Sequence, residues 1–192
     1  MAFQIAPGAL DPVVGRSGGD HYYWRPIVDQ LVDADPSLNP RPETLLATSW
    51  GVSDPKKVML NLCKGVQFHD GTPFNAEAVK FNIERLLDPA TKATPRAAFT
   101  AIDKVDVVDG HIVRFDLTRP WGSVLSTLAD RGGAMNSPTA VKARGLTTSS
   151  SPSPPAHSRS PNTSPAAMSA TCATTSTGVA TLPATRCRIW TK

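Results

Sequence analysis

His69 and Asp70 are an adjacent pair whose types could serve as a general base and its orienting carboxylate. Such a base needs a nucleophile within hydrogen-bond reach, and no spacing in the sequence indicates one. The pair also lies in a turn-forming run, residues 68–74 (FHDGTPF), where an aspartate accepts hydrogen bonds from backbone donors. We therefore predict a structural turn and no catalytic residue. A hydrolase that uses His69 and Asp70 is the weaker alternative.

Residues 20–24 (DHYYW) combine an acid, a histidine and three aromatic residues, and they allow two interpretations. They could form a rim that contacts a ligand, or they could begin a helix whose aromatic side chains enter the core. Gly18 and Gly19 precede them, either as a flexible linker or as a place where a ligand approaches the backbone closely. The residues alone leave these alternatives open.

Metal, cofactor and disulfide chemistry find no support in the spacing of the usual ligands. The candidates are dispersed along the chain: His21, His69, His111, His157, Cys63, Cys172 and Cys187. We predict no metal site, no cofactor and no disulfide framework.

The charges divide the chain into a balanced body and a basic C-terminal segment. All sixteen acidic residues lie at or before Asp130, and sixteen of the twenty Lys and Arg residues lie at or before Arg144. The remaining cations are scattered rather than arranged in a stripe, so the pI near 9.1 does not indicate a nucleic-acid partner. Residues 146–192 are dominated by Ser, Thr, Ala and Pro, which predicts a disordered tail.

The first residues, MAFQIAP, lack the basic and apolar regions of a signal peptide. No apolar run in the sequence is long enough to span a bilayer. From the residues we expect no export signal in this chain.

Apolar periodicity predicts an α+β body. Residues 3–6 favour a short strand that ends at a Pro-Gly turn. Ile27, Val28, Leu31 and Val32 recur at three- and four-residue spacing, which predicts an amphipathic helix that begins close to Pro26. Residues 33–42, with three prolines, should form a loop.

Two hairpins and two further helices complete the predicted body. Residues 50–52 should pair with the alternating strand 58–62, and residues 105–117 should form a second hairpin around a type I′ turn at Asp109-Gly110. Asn75 should cap a helix that stops at Asp88-Pro89. A helix over 120–129 should be closed by a left-handed C-cap at Gly132-Gly133.

Four stretches match a known family. They are residues 10–12 (LDP), 27–32 (IVDQLV), 46–50 (LATSW) and, most specifically, 65–79 (GVQFHDGTPFNAEAV). Over residues 10–145 the chain resembles the dipeptide- and oligopeptide-binding family of ABC importer solute-binding proteins, often called family 5, some members of which import nickel.

The resemblance implies a two-lobed periplasmic-binding-protein-like fold whose cleft traps an extended peptide or a related small solute. This sequence matches about the opening quarter of such a protein: residues 1–41 as the start of the main lobe and 42–145 as an accessory α+β domain that returns to the main lobe. The implied protein is not an enzyme, is periplasmic or extracytoplasmic, is a monomer, and delivers its ligand to an ABC permease in the membrane.

By the same resemblance, the loop after the first strand should face the cleft. The expected ligand-binding residues are Ser17, Gly18, Gly19, Asp20, His21, Tyr22 and, where the chain returns to the main lobe, Asn136. Helix capping by Ser137 is the alternative interpretation of that return segment.

Acidic residues, periodicity and resemblance are all lost near Gly145, which predicts a change of reading frame. If each codon starts on the third base of the preceding residue's codon, residues 153–179 permit VATGPFKVTEYVAGSHVRYVRNDEYWG, which looks like family sequence. We therefore expect residues 146–192 to be out of frame and the product to be truncated and inactive. The alternative is a nonfunctional product of a frameshifted gene.

Overall fold

An antiparallel sheet covered by one long helix forms the centre of the structure, a computed structural model that describes residues 11–16, 18–37, 39–41 and 45–144. Its helices are α1 (His21–Trp24), α2 (Ala76–Leu87), α3 (Val124–Leu128) and α4 (Pro138–Arg144). Its strands are β1 (Asp33–Ala34), β2 (Pro40–Arg41), β3 (Ala47–Asp54), β4 (Lys57–Leu62), β5 (Ile102–Asp109) and β6 (Ile112–Leu117). The strand expected at residues 3–6 and the C-terminal tail lie outside the described residues.

The main sheet has the strand order β3-β4-β6-β5, and all its neighbours are antiparallel. Alternate residues of β4 and β6 point into the core, including Leu60 and Phe115, which have no exposed surface. This period of two is the pattern expected of strands with one buried face. Both predicted hairpins are confirmed.

The outer face of β5 and β6 carries a ladder of opposite charges. Arg114 donates to Asp106 and also pairs with Asp116, at 2.7 and 3.0 Å, while Lys104 lies 2.7 Å from Asp106. The hydrogen bond from Lys104 lowers the pKa of Asp106. This face is therefore polar and the opposite face supplies the core.

Helix α2 packs on the inner face of the sheet and has the predicted ends. The Asn75 side chain accepts a hydrogen bond from the Ala78 backbone N–H at 2.9 Å, which satisfies one donor of the first turn. Asp88 leaves the helical region with ψ of 122°, as expected of a residue before proline. Val79, Ile83 and Leu86 are fully buried against the sheet.

The predicted helix over residues 27–32 is wrong. Helix α1 ends at Trp24, Ile27 is exposed, and the chain continues extended into buried Leu31 and Val32. Leu31 donates its backbone N–H to Gly133 and accepts at its carbonyl from Ala47, both at 2.8 Å. Tertiary pairing of the extended backbone thus overrides an apolar spacing that also fits a helix.

The type I′ turn predicted at Asp109-Gly110 is also wrong. Asp109 pairs with Ile112, so the central residues are Gly110 and His111, and neither has the positive φ that a type I′ turn requires. A register shift between Val107 and Asp109 accommodates the extra residue.

Gly132 and Gly133 do not form a left-handed C-cap. Helix α3 ends at Leu128, and its C-cap residue Ala129 keeps a negative φ of −82°. The two glycines lie in a 3-10 turn, Arg131–Gly133, without positive φ. A Cβ at Gly133 would lie 1.7 Å from the Leu128 carbonyl oxygen. These glycines are required by close packing rather than by backbone handedness.

The hydrophobic core is continuous from Val13 through Leu31 and the sheet to Met135. Core residues from both sides of the expected boundary at residues 41 and 42 therefore belong to one cluster, and the division of the chain there remains a prediction. Within the described ranges, no helix has both the length and the apolar character needed to cross a bilayer.

Candidate functional site

A cleft of about 700 Å³ opens beside α1 and brings together two distant parts of the chain. Its lining consists of Gly18, His21, Tyr22, Arg25, Pro26 and Asp130. Three of these belong to the loop that was expected to contact ligand. The others were not anticipated from the sequence.

Helix α1 and the turn after it form one wall of this cleft. Trp24 is completely buried and anchors the helix, and its ring lies 4.9 Å from that of His21. The backbone N–H groups of Ile27 and Val28 both donate to the Trp24 carbonyl at 2.9 Å, which turns the chain at Pro26. Buried Trp24 thus fixes the backbone from which His21 and Tyr22 project.

His21 is held between two consecutive residues of the segment after α3. Its Nε2 lies 2.9 Å from Asp130 Oδ1, and its Nδ1 lies 2.9 Å from an Arg131 terminal nitrogen. Arginine can only donate, so Nδ1 accepts and the imidazole proton is on Nε2, which donates to Asp130. The Gly18 carbonyl, 3.2 Å from Nδ1, receives no proton in this tautomer.

Arg131 ties the loop before α1 to the segment after α3. It is buried and donates from Nη1 to the Gly15 carbonyl at 2.8 Å. A Cβ at Gly15 would lie 2.8 Å from Arg131 Nη1 and 3.0 Å from an Asp20 carboxylate oxygen, so both charged groups converge on this glycine. Asp20 is 1% exposed and lies on the inner side of the loop, away from the cleft lining.

Two large exposed residues lie in or next to the cleft lining. The Tyr22 side chain is 68% exposed, and Ile27, directly after Pro26, is 52% exposed. A Cβ at Gly18 would meet nothing within 4 Å, so this glycine borders open space. Gly19 is also exposed but is not part of the lining, and Ser17 lies outside the described residues.

Asn136 lies in a separate polar network. Its backbone N–H donates to Asn82 Oδ1 at 3.1 Å, and its carbonyl accepts from Asn82 Nδ2 at 2.8 Å. Its side chain lies 3.4 Å from Asp11, which is the ion-pair partner of buried Arg85. Asn136 is thus placed to join the return segment to α2 rather than to line the cleft.

The turn at residues 68–72 has the structural character predicted for it. Asp70 accepts from the Thr72 backbone N–H at 3.0 Å and from the Ser137 hydroxyl, and these hydrogen bonds, that of Ser137 foremost, lower its pKa. Ser137 Oγ also accepts from the Ala140 backbone N–H at 3.2 Å, which caps α4 as the alternative interpretation predicted.

His69 points away from Asp70. Its Nε2 lies 3.2 Å from the Ile27 carbonyl and donates to it. Burial raises the pKa of nearby Asp29, while the charge of His69 opposes that shift. Because His69 and Asp70 have separate partners, the arrangement does not form a base with an orienting carboxylate.

A smaller groove of about 440 Å³ lies between α2 and α4 and includes Phe81, whose ring is 5.3 Å from the Lys142 ammonium. In the described part of the chain, no cluster of three or more His, Cys, Asp or Glu residues could hold a metal ion. The groove provides a useful internal comparison for binding experiments on the cleft.

Sequence reasoning missed Arg25, Asp130 and Arg131. Asp130 is 109 residues from His21, so no local spacing could connect them. The only signal in the sequence was the run of small residues after Arg131, which indicates that the chain there packs closely against another segment.

Residues 41–164 match the family model described as bacterial extracellular solute-binding proteins, family 5 Middle. This match runs past Gly145, where the resemblance was expected to end. The chain is 37% identical over 141 residues to the probable D,D-dipeptide-binding periplasmic protein DdpA of Escherichia coli K12, covering 71% of this chain and 27% of that protein. It is 36% identical over 104 residues to the glutathione-binding protein GsiB of Shigella flexneri, covering 54% and 20%.

Solved structures of binding proteins are also similar to this chain. AgaA in complex with agropinic acid, from A. tumefaciens R10, superposes with a TM-score of 0.68 at 28% identity, covering 77% of this chain and 30% of that one. The E. coli murein tripeptide binding protein MppA, at 22% identity and a TM-score of 0.66, supports the fold alone and covers 73% and 31%. The chain spans 27% and 20% of the lengths of the two curated relatives above. With more than half of its residues matched by the family model, the chain belongs to the bacterial extracellular solute-binding proteins of family 5.

Proposed function

We propose that this chain is the opening part of the substrate-binding component of an ABC importer, which captures peptides or a related small solute outside the cytoplasm. The captured solute is delivered to a permease in the membrane, and the complete component acts as a monomer. The chain performs no chemistry on the solute. D,D-dipeptide and glutathione in the names of similar proteins support a peptide-like ligand.

The observation that carries this proposal is the cleft at α1. Within a chain of this family, the loop residues Gly18, His21 and Tyr22 line one open cavity together with charged groups from residues 25 and 130. A cavity that combines an aromatic ring with a few convergent polar groups is a usual form of a small-solute site. We assign it as one wall of the solute-binding cleft.

A single wall should bind weakly. Two-lobed binding proteins close about a hinge because the ligand stabilises the closed form by contacts from both sides. The 192-residue chain covers about 30% of the similar solved structures. We therefore expect the chain on its own to be inactive as a high-affinity binder, with a Kd above 1 μM. A Kd of 1 μM corresponds to a binding free energy of about 8 kcal/mol.

Titration of the purified chain with di- to pentapeptides tests the proposal. Calorimetry should show no micromolar binding, and amide NMR at millimolar peptide should show shifts confined to residues 18–27 and 130–131. The groove between α2 and α4 is the internal control, and Phe81 and Lys142 there should not respond. Shifts in that groove alone, or none anywhere, would contradict the assignment of the cleft. Micromolar one-to-one binding would contradict the single-wall argument.

A further inference from the structure

The sequence contains two Asp-Gly pairs, Asp70-Gly71 and Asp109-Gly110, and all four residues are exposed. An aspartate before glycine can react with its own backbone, because glycine has no Cβ to shield its nitrogen. The nitrogen attacks the aspartate Cγ and forms an N–C bond, while a C–O bond of the protonated carboxyl breaks and water leaves with the amide proton. Water then opens the five-membered imide, and opening at the main-chain carbonyl gives isoaspartate.

The Asp109 side chain is folded towards the nitrogen that would attack it. Its Oδ1 lies 2.5 Å from Gly110 N, which places Cγ beside that nitrogen. Among the described residues, this is the only hydrogen-bond partner of the Asp109 carboxylate. Close approach of the reacting atoms is the main requirement of an intramolecular reaction, so this pair is prepared for ring closure.

The other pair has the same sequence and a different set of contacts. The Asp70 carboxylate accepts from the Thr72 backbone N–H at 3.0 Å, from the Thr72 hydroxyl at 2.5 Å and from the Ser137 hydroxyl. Gly71 N donates instead to the Phe68 carbonyl at 2.9 Å. Both reacting groups are therefore held by other partners.

The hydrogen bonds at Asp70 also oppose the reaction chemically. They lower the pKa of this carboxyl, with the bond from Ser137 having the largest effect. Because water is released from the protonated carboxyl, a lower pKa reduces the reactive fraction at a given pH.

From this contrast we infer that Asp109 is a modification site, which converts spontaneously to isoaspartate, and that the fold protects Asp70 from the same reaction. The inference does not depend on the proposed function of the cleft.

Isoaspartate at residue 109 would insert a side-chain carbon into the main chain of a hairpin that other elements contact. The Gly110 carbonyl accepts from the N–H of Ala76, the first residue of α2, at 2.9 Å. The His111 carbonyl accepts from Leu62 N–H at 2.8 Å. The modified hairpin should therefore weaken the start of α2 and the end of β4.

The test is prolonged incubation of the purified 192-residue chain in 18O-water at mildly acidic pH, followed by proteolysis and mass spectrometry. Each opening of the imide incorporates one labelled oxygen, and electron-transfer fragmentation distinguishes isoaspartate from aspartate. We expect about tenfold or more isoaspartate at residue 109 than at residue 70, because Asp70 must first lose hydrogen bonds to a charged group. In urea, where these contacts are absent, the two sites should react at similar rates.

Two variants separate the causes. A Cβ at Gly110 would meet nothing within 4 Å, and this glycine has no positive φ, so Gly110→Ala should fold normally while its methyl group shields the nitrogen. It should form several-fold less isoaspartate at residue 109. Ser137→Ala removes one hydrogen bond and should increase labelling at Asp70.

Three results would overturn the inference. They are similar isoaspartate at both sites of the folded chain, no reaction at Asp109 under conditions in which the urea-unfolded chain reacts, and a preference for Asp109 that persists unchanged in urea. The last result would assign the difference to neighbouring sequence rather than to the contacts of the fold.

Discussion

Replacing Gly132 with alanine should destabilise the fold, because the new methyl group would overlap a buried ring. A Cβ at this position would lie 2.1 Å from Cζ and 2.3 Å from Cε2 of Phe99. Phe99 has no exposed surface, and its ring packs edge-on against Trp121 with centroids 5.5 Å apart. The ring therefore cannot yield without disturbing a second aromatic contact.

The expected loss in the free energy of unfolding follows from two opposing terms. Forcing an extra methyl group into a packed core costs about 1 to 3 kcal/mol. Alanine has less conformational entropy than glycine in the unfolded chain, and this difference stabilises the folded state by about 0.4 to 1 kcal/mol. We therefore expect Gly132→Ala to lose about 1 to 2 kcal/mol net.

A double-mutant cycle measured by urea unfolding identifies the cause. Leucine at residue 99 lacks the ring atoms that the methyl group would meet, so Phe99→Leu should relieve the overlap. Gly132→Ala combined with Phe99→Leu should lose about 1 kcal/mol less than the sum of the single changes. Gly122→Ala is the control, because a Cβ there meets nothing within 4 Å, and it should change stability by no more than about 0.5 kcal/mol. Additive effects, or equal losses at both glycines, would refute the reasoning.

Three further changes probe the turn and the helix that follows it. Gly71 has φ of +79°, so Gly71→Val should cost about 1 kcal/mol or more in thermal or urea unfolding, and unchanged stability would contradict the strain. Asn75→Ala removes the cap of α2 and should cost about 1 kcal/mol, with Asn75→Ser as a control that keeps most of the stability. Hydrogen bonds from Ser137 and Thr72 lower the pKa of Asp70, so the stability it contributes is present above the unfolded pKa of about 3.9 and is lost as pH falls through the lower folded value. In urea unfolding measured at several pH values, Asp70→Asn should reduce this loss of stability at low pH. An identical pH dependence in the variant would exclude a contribution from Asp70.

Local signals were sufficient where the chain interacts with itself over short distances. Asn75 as a cap, the proline stop after Asp88 and the alternation in β4 each depend on neighbouring residues, and each is found as predicted. The turn at Asp70 likewise uses Thr72, two residues away. These features need no knowledge of the rest of the fold.

Prediction failed where distant segments decide the conformation. Leu31 and Val32 have an apolar spacing that suits a helix, but residues 46–47 and 133–135 bond to the extended backbone there. Gly132 looked like a helix end and is instead required by Phe99, which is far from it in sequence. The cleft shows the same limit, since the resemblance indicated its loop but nothing local indicated Asp130.

Because the chain is synthesised from its N-terminus, these distant contacts form only after a delay. Residues 29–31 obtain their backbone partners from residues 133–135, and Gly15 obtains Arg131 from 116 positions downstream. At translation rates of about 5 to 20 residues per second, the intervening hundred residues take on the order of 5 to 20 s to emerge. During that interval Trp24 and Leu31 lack the buried environment of the finished fold. The wall of the cleft can therefore form only after the chain has been synthesised as far as residue 135.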